Sequence, residues 1–196
     1  MIFRFSSLLL VSVLLTGCGY QVLSLNQPVL SFTVAPIQGD NDGVLLQTII
    51  RTSETYPGVE YQAFDASCLI KVKFIQFSNE HIGYKYQTED GSGDIINRLS
   101  PTEGQHTLQV ELLLVDAITQ KIILGPKQIE VSIDYDFVDS KSYNDLTFVT
   151  PMGFKQTVLD YSLGQLDSEE AATIGAKERL YQKIAYEILS FLLATL

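Results

Sequence analysis

Residues 128–137 alternate strictly between polar and apolar side chains, and this pattern constrains the fold more than any other feature of the sequence. Successive side chains of a β-strand point to opposite faces, so the segment predicts a strand with one buried and one solvated face. Two further segments alternate in the same way, through Ile70, Val72 and Phe74 and through Leu108, Val110, Leu112 and Leu114. We therefore expect three long strands in a sheet that has one wet face.

Helical periodicity occurs on either side of these strands. In a first segment, apolar residues have the spacing of one helix face: Leu45, Leu46, Ile49 and Ile50. A second segment has the same spacing at Ile174, Tyr181, Ile184, Ile188 and Leu192. The first predicted helix ends before Tyr56-Pro57-Gly58. The second has Asp167 as its predicted N-cap, with Glu170 completing a capping box.

A shorter alternating segment, Leu30–Val34, precedes the first helix and ends at Pro36. The element order is therefore strand, helix, three strands, helix. This order predicts an α+β fold in which two helices pack on one face of a four-stranded, mostly antiparallel (mixed) sheet, forming a two-layer sandwich.

Several connections carry their own signals. Asp116–Lys121 predicts a hairpin turn, the loss of phase at Ile75–Phe77 predicts a bulge or strand end, and Gly125-Pro126 predicts an edge or a kink. The polar stretch between Glu80 and Gln105 is either a long mobile connection or an extended hairpin. Asp139–Gln165 is a second long irregular stretch, of a length that is uncommon unless it is functional.

The start of the chain has the form of a bacterial lipoprotein signal. Arg4 supplies a positive charge, and Leu8–Leu15 is an apolar run too short to span a bilayer. Leu15-Thr16-Gly17-Cys18 then matches a lipobox, in which the cysteine sulfur receives a diacylglyceryl group and the amine freed by cleavage is acylated. A plain secretory signal with an incidental cysteine is the alternative interpretation.

These features divide the chain into a signal peptide at 1–17, a lipidated tether at 18–28 and a single domain at 29–196. Gly19 follows the lipidated cysteine, and by resemblance to enteric sorting rules the absence of Asp at this position favours the outer membrane. The covalent lipid on Cys18 is the only attached group we expect, because nothing in the sequence indicates another cofactor.

Charge and motif content favour a protein that is not an enzyme. The chain has 13 basic and 23 acidic residues, a balance that argues against nucleic-acid binding and against a polybasic membrane-surface protein. His81 and His106 stand apart from other metal-ligating residues, and no nucleophile elbow, zinc-protease motif or phosphate-binding glycine loop occurs. Cys68, flanked by apolar residues, is expected to be a small core residue.

The segment Leu15-Thr16-Gly17-Cys18-Gly19-Tyr20 resembles the start of the LPS-assembly lipoprotein LptE family, whose members have a lipobox followed by Gly and an aromatic residue. The resemblance continues through the order and spacing of the later elements: a strand opened by Ala66–Ile70, two long strands joined by Asp116–Lys121, and a final helix with Ala171-Ala172 near its start. It covers essentially the whole mature chain.

This resemblance implies two helices on a four-stranded sheet and a non-enzymatic function. LptE-like proteins sit as a plug inside the large outer-membrane β-barrel LptD, help that barrel to assemble and contact lipopolysaccharide (LPS). The polar residues 128–134 of the third long strand would offer hydrogen-bonding groups to such a barrel wall.

LPS carries phosphates, so the resemblance also implies basic contact residues. Arg98 stands where family members use basic residues before the long central strand, and Lys71, Lys73 and Lys85 are further candidates. The alternative for each is an ordinary solvated charge. Two other functions stay open: an accessory or pilot lipoprotein of another envelope complex (a secretin or a lipid transporter), and, with less support, an envelope enzyme.

Overall fold

The computed structural model describes residues 29–88, 94–139, 147–157 and 167–194. The expected signal peptide and tether, and residues 140–146 and 158–165 of the second irregular stretch, lie outside these ranges. The helices and strands within them are β1 (Leu30–Val34), α1 (Val44–Ser53), β2 (Val59–Tyr61), β3 (Cys68–Thr88), β4 (Ile95–Asp116), β5 (Ile122–Asp136), β6 (Thr147–Val149), β7 (Lys155–Thr157) and α2 (Glu169–Leu193).

The main sheet has five strands in the order β2-β1-β3-β4-β5, and β6 and β7 form a separate two-stranded sheet. β1 pairs in parallel with β2 and β3, whereas the pairings of β3 with β4 and of β4 with β5 are antiparallel. The α+β class and the mixed sheet are as expected, but the predicted number of four strands is wrong. β2 supplies the fifth strand, and its three residues are too few to show an alternation.

Both helices pack on one face of the sheet. This face carries the apolar residues of the alternating strands, among them Phe32, Ile70, Leu108 and Leu112, and all four are completely buried. Leu45 and Ile49 from α1 and Leu180, Ile184, Ile188 and Leu189 from α2 belong to the same buried cluster. Cys68 lies in this cluster as a buried free thiol, which confirms the expectation of a core residue.

The start of α2 differs from the prediction in two ways. Ser168, not Asp167, is the N-cap, because its hydroxyl accepts a hydrogen bond from Ala171 N at 3.3 Å. Ile174, expected in the buried stripe, is 59% exposed, while Ala172 and Ala176 face the core. The small alanine side chains allow the first turns of the helix to approach the sheet closely, and a count of large apolar residues does not detect them.

The irregularities of the strands were predicted correctly. The register of β3 against β4 shifts between Phe74 and Gln76, as the loss of phase indicated. β5 is an edge strand of the main sheet, and its pairing with β4 is interrupted where Leu112 pairs with Lys127 and Leu114 with Leu124. Gly125 and Pro126 are left out of the ladder at this interruption, and the edge position of the strand is one of the two outcomes that Gly125-Pro126 predicted.

The pairing of β3 with β4 continues far beyond the helices. The polar stretch between Glu80 and Gln105 is the extended hairpin, since register pairs run from Glu80 with Gln105 out to Thr88 with Ile95. β3 has 21 residues, which at about 3.3 Å per residue amounts to roughly 70 Å, whereas the 25 residues of α2 cover roughly 37 Å at about 1.5 Å each. The outer part of the hairpin therefore lies beyond the helix layer.

Candidate functional site

The face of the sheet opposite the helices is polar, and no described helix covers it. We call it the open face. Its side chains alternate with the buried ones along β3, β4 and β5, and all are partly or fully exposed: Lys71, Lys73, Gln105, Thr107, Gln109, Glu111, Gln128, Glu130, Ser132 and Asp134. The predicted wet face is thus a continuous polar surface across three strands.

Cross-strand hydrogen bonds order part of the open face. The Gln105 amide donates to Asp134 Oδ1 at 2.7 Å, and the hydroxyls of Thr107 and Ser132 lie 2.9 Å apart. Such pairs between adjacent strands restrict side-chain freedom. These four residues therefore present amide, hydroxyl and carboxylate groups whose side-chain freedom is restricted.

Lys71 and Lys73 lie together at one border of the open face. They line a groove of about 230 Å³ whose other walls include Gln38, Glu111 and Leu113. Residue Gln38 is placed there because the chain after β1 runs beside β3, with Phe74 N donating to the Gln38 carbonyl at 2.9 Å. Two ammonium groups facing one carboxylate leave a local charge of one positive unit, so the groove suits a single anionic group.

The remaining two predicted cations lie on the outer part of the hairpin, which we call the outer arm (residues 82–88 and 94–103). Lys85 pairs in register with Ser100, and Arg98 lies two residues before Ser100 on the same strand. Alternation therefore places Lys85 and Arg98 on one face of the arm. The Arg98 side chain is exposed.

The four predicted cations do not form one site. Lys85 lies twelve residues beyond Lys73 along β3, a separation of roughly 40 Å at about 3.3 Å per residue. Lys71 and Lys73 can contact one anion together, and Lys85 and Arg98 share a second location. Cys18, the predicted lipid-attachment site, lies outside the described residues.

The outer arm has an inverted pattern of burial. Its large apolar side chains Ile82, Tyr84, Tyr86, Ile95 and Leu99 are 46% to 74% exposed. The polar side chains of Gln87 and Ser100 are buried and hydrogen-bonded to each other. Because Tyr86 pairs with Leu99 and Tyr84 with Pro101, the exposed apolar residues share the face opposite Lys85. An exposed apolar surface of this kind marks a contact region.

The junction between the outer arm and the helix layer was not predicted. His81 Nε2 lies 2.8 Å from Glu169 Oε1 in the first turn of α2, which places the end of the helix at this level of the hairpin. His106 is buried, with its ring 5.3 Å from that of Phe77 and 5.0 Å from that of Tyr135 between centroids. The position of His106, two residues before Leu108 in the apolar stripe, was the available sequence signal.

His106 also contacts α2 directly. Its Nε2 lies 3.2 Å from the Thr173 carbonyl oxygen, and since a carbonyl only accepts, this nitrogen carries the proton. Nδ1 is buried without a hydrogen-bond partner among the described residues. The Tyr135 hydroxyl donates to Asn79 Oδ1 at 2.6 Å. These contacts fix the base of the outer arm against the helix.

A salt bridge joins the loop before α1 to α2. Lys177 Nζ lies 3.2 Å from Asp42 Oδ2 and 5.3 Å from the centre of the Tyr181 ring. The hydrogen bond from Lys177, helped by Asp40, lowers the pKa of the Asp42 carboxyl. Burial raises the pKa of Tyr181. Partial burial of Lys177 is the largest single influence and opposes its charge, but the hydrogen bond to Asp42 and the interactions with Tyr181 and the Asp42 charge together outweigh it, so the pKa of Lys177 is raised.

Two kinds of feature are absent from the described ranges. No three His, Cys, Asp or Glu side chains in residues 29–88, 94–139, 147–157 and 167–194 are grouped so that they could hold a metal ion. Among the helices of this part of the chain, none combines the length and the apolar character needed to cross a membrane.

No protein-family model matches the chain, and no curated protein matches it. Among solved structures, a Xanthomonas campestris protein of the family DUF330 aligns with a TM-score of 0.50 at 10% identity, over 87% of this chain and 89% of that one. This agreement supports the two-layer α+β fold. At such low identity it supports nothing beyond the fold.

Two further solved structures to which the chain is similar are bacterial lipoproteins. The rare lipoprotein B of Shewanella oneidensis aligns with a TM-score of 0.40 at 15% identity, over 84% of this chain and 95% of that one. A minor lipoprotein of Acinetobacter baumannii aligns with a TM-score of 0.43 at 11% identity, over 82% and 90% of the two chains.

Proposed function

We propose that this protein is an outer-membrane lipoprotein, anchored through acyl groups on Cys18, that plugs an LptD-like β-barrel and helps it to assemble. It acts by binding, without enzymatic chemistry, while LPS passes to the outer leaflet. The lipobox and the order of elements motivate this proposal at the level of sequence. The organisation of the domain supports it in two ways, through the outer arm and through the open face.

The inverted burial of the outer arm carries the proposal. An arm that exposes Tyr84, Tyr86 and Leu99 while burying Gln87 and Ser100 is suited to contact with a partner. Tyrosine supplies apolar area together with a hydroxyl, a combination enriched in protein interfaces and at membrane–water boundaries. The face of the arm that carries the tyrosines and Leu99 is the one open to a partner, because Gln87 and Ser100 on the opposite face are already buried.

The open face supports the same assignment. The lumen of a large outer-membrane barrel is polar and wet, so a plug needs a polar surface with defined hydrogen-bonding groups. The ordered pairs Gln105 with Asp134 and Thr107 with Ser132 are groups of this kind. The helices cover the other face of the sheet, so within the described ranges the open face is the side of the sheet available to a barrel wall.

Contact with LPS is assigned to the two cationic locations. Arg98 can bind a phosphate through two parallel hydrogen bonds, whereas Lys71 and Lys73 act as point charges in their groove. Because roughly 40 Å separates Lys73 from Lys85, we expect the two locations to bind separate anions independently. Arg98→Glu and the Lys71→Glu/Lys73→Glu double variant should each weaken LPS binding, with additive effects in combination. Lys121→Glu, an exposed lysine in the turn after β4 that belongs to neither location, is the matched control.

The identity of the partner is tested by purification of the lipidated protein from envelopes in mild detergent, with co-purifying proteins identified by mass. A stoichiometric barrel of the LPS-export type is the expected result. Cys18→Ala should leave an uncleaved precursor, and normal processing of that variant would exclude the lipoprotein assignment. A different stoichiometric partner would exclude the LptD assignment while leaving the anchor intact.

The edge of β5 favours a second candidate, an accessory or pilot lipoprotein of a secretin or of a lipid transporter. Phe137 N donates to the Thr102 carbonyl, so Phe137 and Thr102 form a hydrogen-bonded pair. Since such pairs alternate along an antiparallel ladder, the backbone groups of Gln128 and Glu130 point away from β4, whereas the Ser132 carbonyl on the same edge accepts a hydrogen bond from Lys183 Nζ at 3.3 Å. Within the described ranges no strand pairs with this edge, and a partner strand could extend the sheet there. Recovery of a secretin or a transporter subunit in the purification would select this alternative.

A further inference from the structure

The end of the sheet where β1 begins carries a group of exposed apolar side chains. Val29, the first described residue, belongs to this group and is 56% exposed. The other members are Phe64 (85% exposed), Ile118 (89%), Ile122 (63%) and Ile123 (49%). We call this group the apolar end. It lies opposite the outer arm along the length of β3 and β4.

The strand register brings these residues to the same end. β1 and β3 are parallel, with Phe32 beside Cys68, so both strands begin there. Cys68 pairs with Asp116 at the last residue of β4, and the turn that carries Ile118 follows directly. Ala117 N donates to the Ser67 carbonyl at 3.0 Å, which joins this turn to the loop that contains Phe64.

The turn that presents Ile118 is ordered by its own hydrogen bonds. Asp116 Oδ1 accepts from Ile118 N at 3.1 Å, from Thr119 N at 2.6 Å and from the Thr119 hydroxyl at 2.9 Å. The bonds from Thr119 and then Ile118 lower the pKa of the Asp116 carboxyl, so it stays charged and keeps the turn closed at neutral pH. Ile118 is therefore held in place with almost its whole side chain in solvent.

The tether also leads to this end. Residues 18–28 connect the lipidated cysteine to Val29, and eleven residues span at most about 38 Å when fully extended and about 18 Å as a flexible coil. The tether of a lipid anchor at Cys18 therefore joins the domain at the apolar end.

We infer that Phe64, Ile118, Ile122 and Ile123 form a second membrane contact, which inserts into the lipid headgroup region and orients the domain with its outer arm pointing away from the bilayer. The inference rests on the lipid anchor of the proposed function and concerns the protein before it engages a barrel. The ligand is a phospholipid surface, and shallow insertion of about 5–10 Å is typical of such contacts.

The chemistry of the apolar end indicates how it binds. Its charged neighbours Asp65, Asp116 and Lys121 do not form a basic cluster, and the chain as a whole is acidic. Attraction to anionic lipids therefore contributes little, and burial of apolar area supplies the contact. Binding of this kind is insensitive to salt.

The absence of tryptophan from the sequence permits a direct test. Full-length lipidated protein carrying Ile118→Trp or Phe64→Trp is reconstituted into phosphatidylethanolamine–phosphatidylglycerol vesicles with brominated acyl chains. Both sites are more than four-fifths exposed, so the substitutions leave the core unchanged. Tyr86→Trp, on the outer arm, is the matched control. Flotation of the vesicles measures the anchor separately from the fluorescence.

We expect the emission of Ile118→Trp and Phe64→Trp to shift to shorter wavelength and to be quenched severalfold more strongly than that of Tyr86→Trp, at low and at high salt alike. Protein that floats with the vesicles but shows no quenching at residue 118 or 64 would overturn the membrane contact and leave the anchor standing. Equal quenching at all three positions would overturn the orientation. Failure of the protein to float with the vesicles would remove the anchor on which the inference rests, and would overturn both the membrane contact and the orientation.

Discussion

The inner and outer halves of the β3–β4 hairpin are built from the same two strands, yet they bury opposite kinds of side chain. In the inner half, from Cys68 to His81 and from Gly104 to Asp116, the apolar stripe that includes Ile70, Leu108 and Leu112 faces α2 and the core. In the outer arm the tyrosines and Leu99 are exposed while Gln87 and Ser100 are buried. Alternation therefore defines two faces, and the layer packed against the strands decides which of them is buried.

The boundary between the two halves coincides with the start of α2. His81 contacts Glu169 in the first turn of the helix, and His106 packs below Thr173 one turn later. Beyond this level the helix no longer supplies apolar contacts, so the apolar side chains of the arm have no core to enter. In the inner half the alternation serves stability, and in the outer arm we assign it to partner binding.

Two leucines on the same strand test this difference most strongly. Leu112→Ala removes a side chain that is completely buried, and we expect it to lower the free energy of unfolding by about 2–5 kcal/mol. Leu99→Ala truncates a side chain that is 56% exposed, and we expect a change within about 0.5 kcal/mol. Urea unfolding of the two variants at neutral pH provides the measurement. Equal losses would show that the outer arm is packed as firmly as the core.

The inner half was predictable from the sequence because its apolar stripes are long and have a layer to pack against. Ile70, Val72 and the stripe from Leu108 to Leu114 were identified correctly, as was the bulge after Phe74. β2 was not predicted because its three residues are too few to show an alternation of polar and apolar side chains. The buried face of α2 was assigned in part wrongly, since Ala172 and Ala176, and not Ile174, face the sheet.

The candidate site was less predictable than the fold. Residue types indicated cations for an anionic ligand, but a sequence contains no distances between strands. Once the stretch from Glu80 to Gln105 is known to be a hairpin, Lys73 and Lys85 are necessarily far apart. The inverted burial of the arm depends on where α2 begins, and the sequence placed that start only approximately.

Gly104 lies at the boundary between the two halves and permits a close approach. A Cβ atom at this position would lie 2.4 Å from Cζ of Tyr135, so Gly104→Ala must displace the Tyr135 ring and break its hydrogen bond to Asn79. We expect a loss of about 1–3 kcal/mol in the free energy of unfolding. Thermal unfolding followed by circular dichroism measures it.

Gly175 provides the opposite case. It lies within α2, and a Cβ atom there would meet nothing within 4 Å. Gly175→Ala should therefore stabilise the protein by up to about 1 kcal/mol through helix propensity. A loss of stability in Gly175→Ala, or none in Gly104→Ala, would contradict the packing described for the two sites.

A substitution on the exposed apolar face of the outer arm should weaken partner binding without lowering the stability of the protein. Tyr86→Ala removes a ring that is 55% exposed, so unfolding should be nearly unchanged. If the ring anchors the partner, its truncation should weaken the complex by about 1–2 kcal/mol, which is roughly a five- to thirtyfold loss of affinity. Phe148→Ala, also exposed but on the small β6–β7 sheet, is the control. Equal retention of the partner by both variants would place the binding surface elsewhere.

The Asp42–Lys177 salt bridge belongs to the helix layer, which does not extend over the outer arm. Of the changes considered, its removal should have the smallest effect on stability. Its partners are 52% and 40% exposed, so solvent screening limits its contribution to about 0.5 kcal/mol. Because the folded-state pKa of Asp42 is lowered, this stabilisation is present above the unfolded pKa of about 4 and is lost as pH falls through the folded value. Asp42→Asn should consequently destabilise the protein at pH 7, and its difference from wild type should shrink as the pH falls below 4. A constant deficit for Asp42→Asn at every pH would mean that the loop geometry, and not the charge, is responsible.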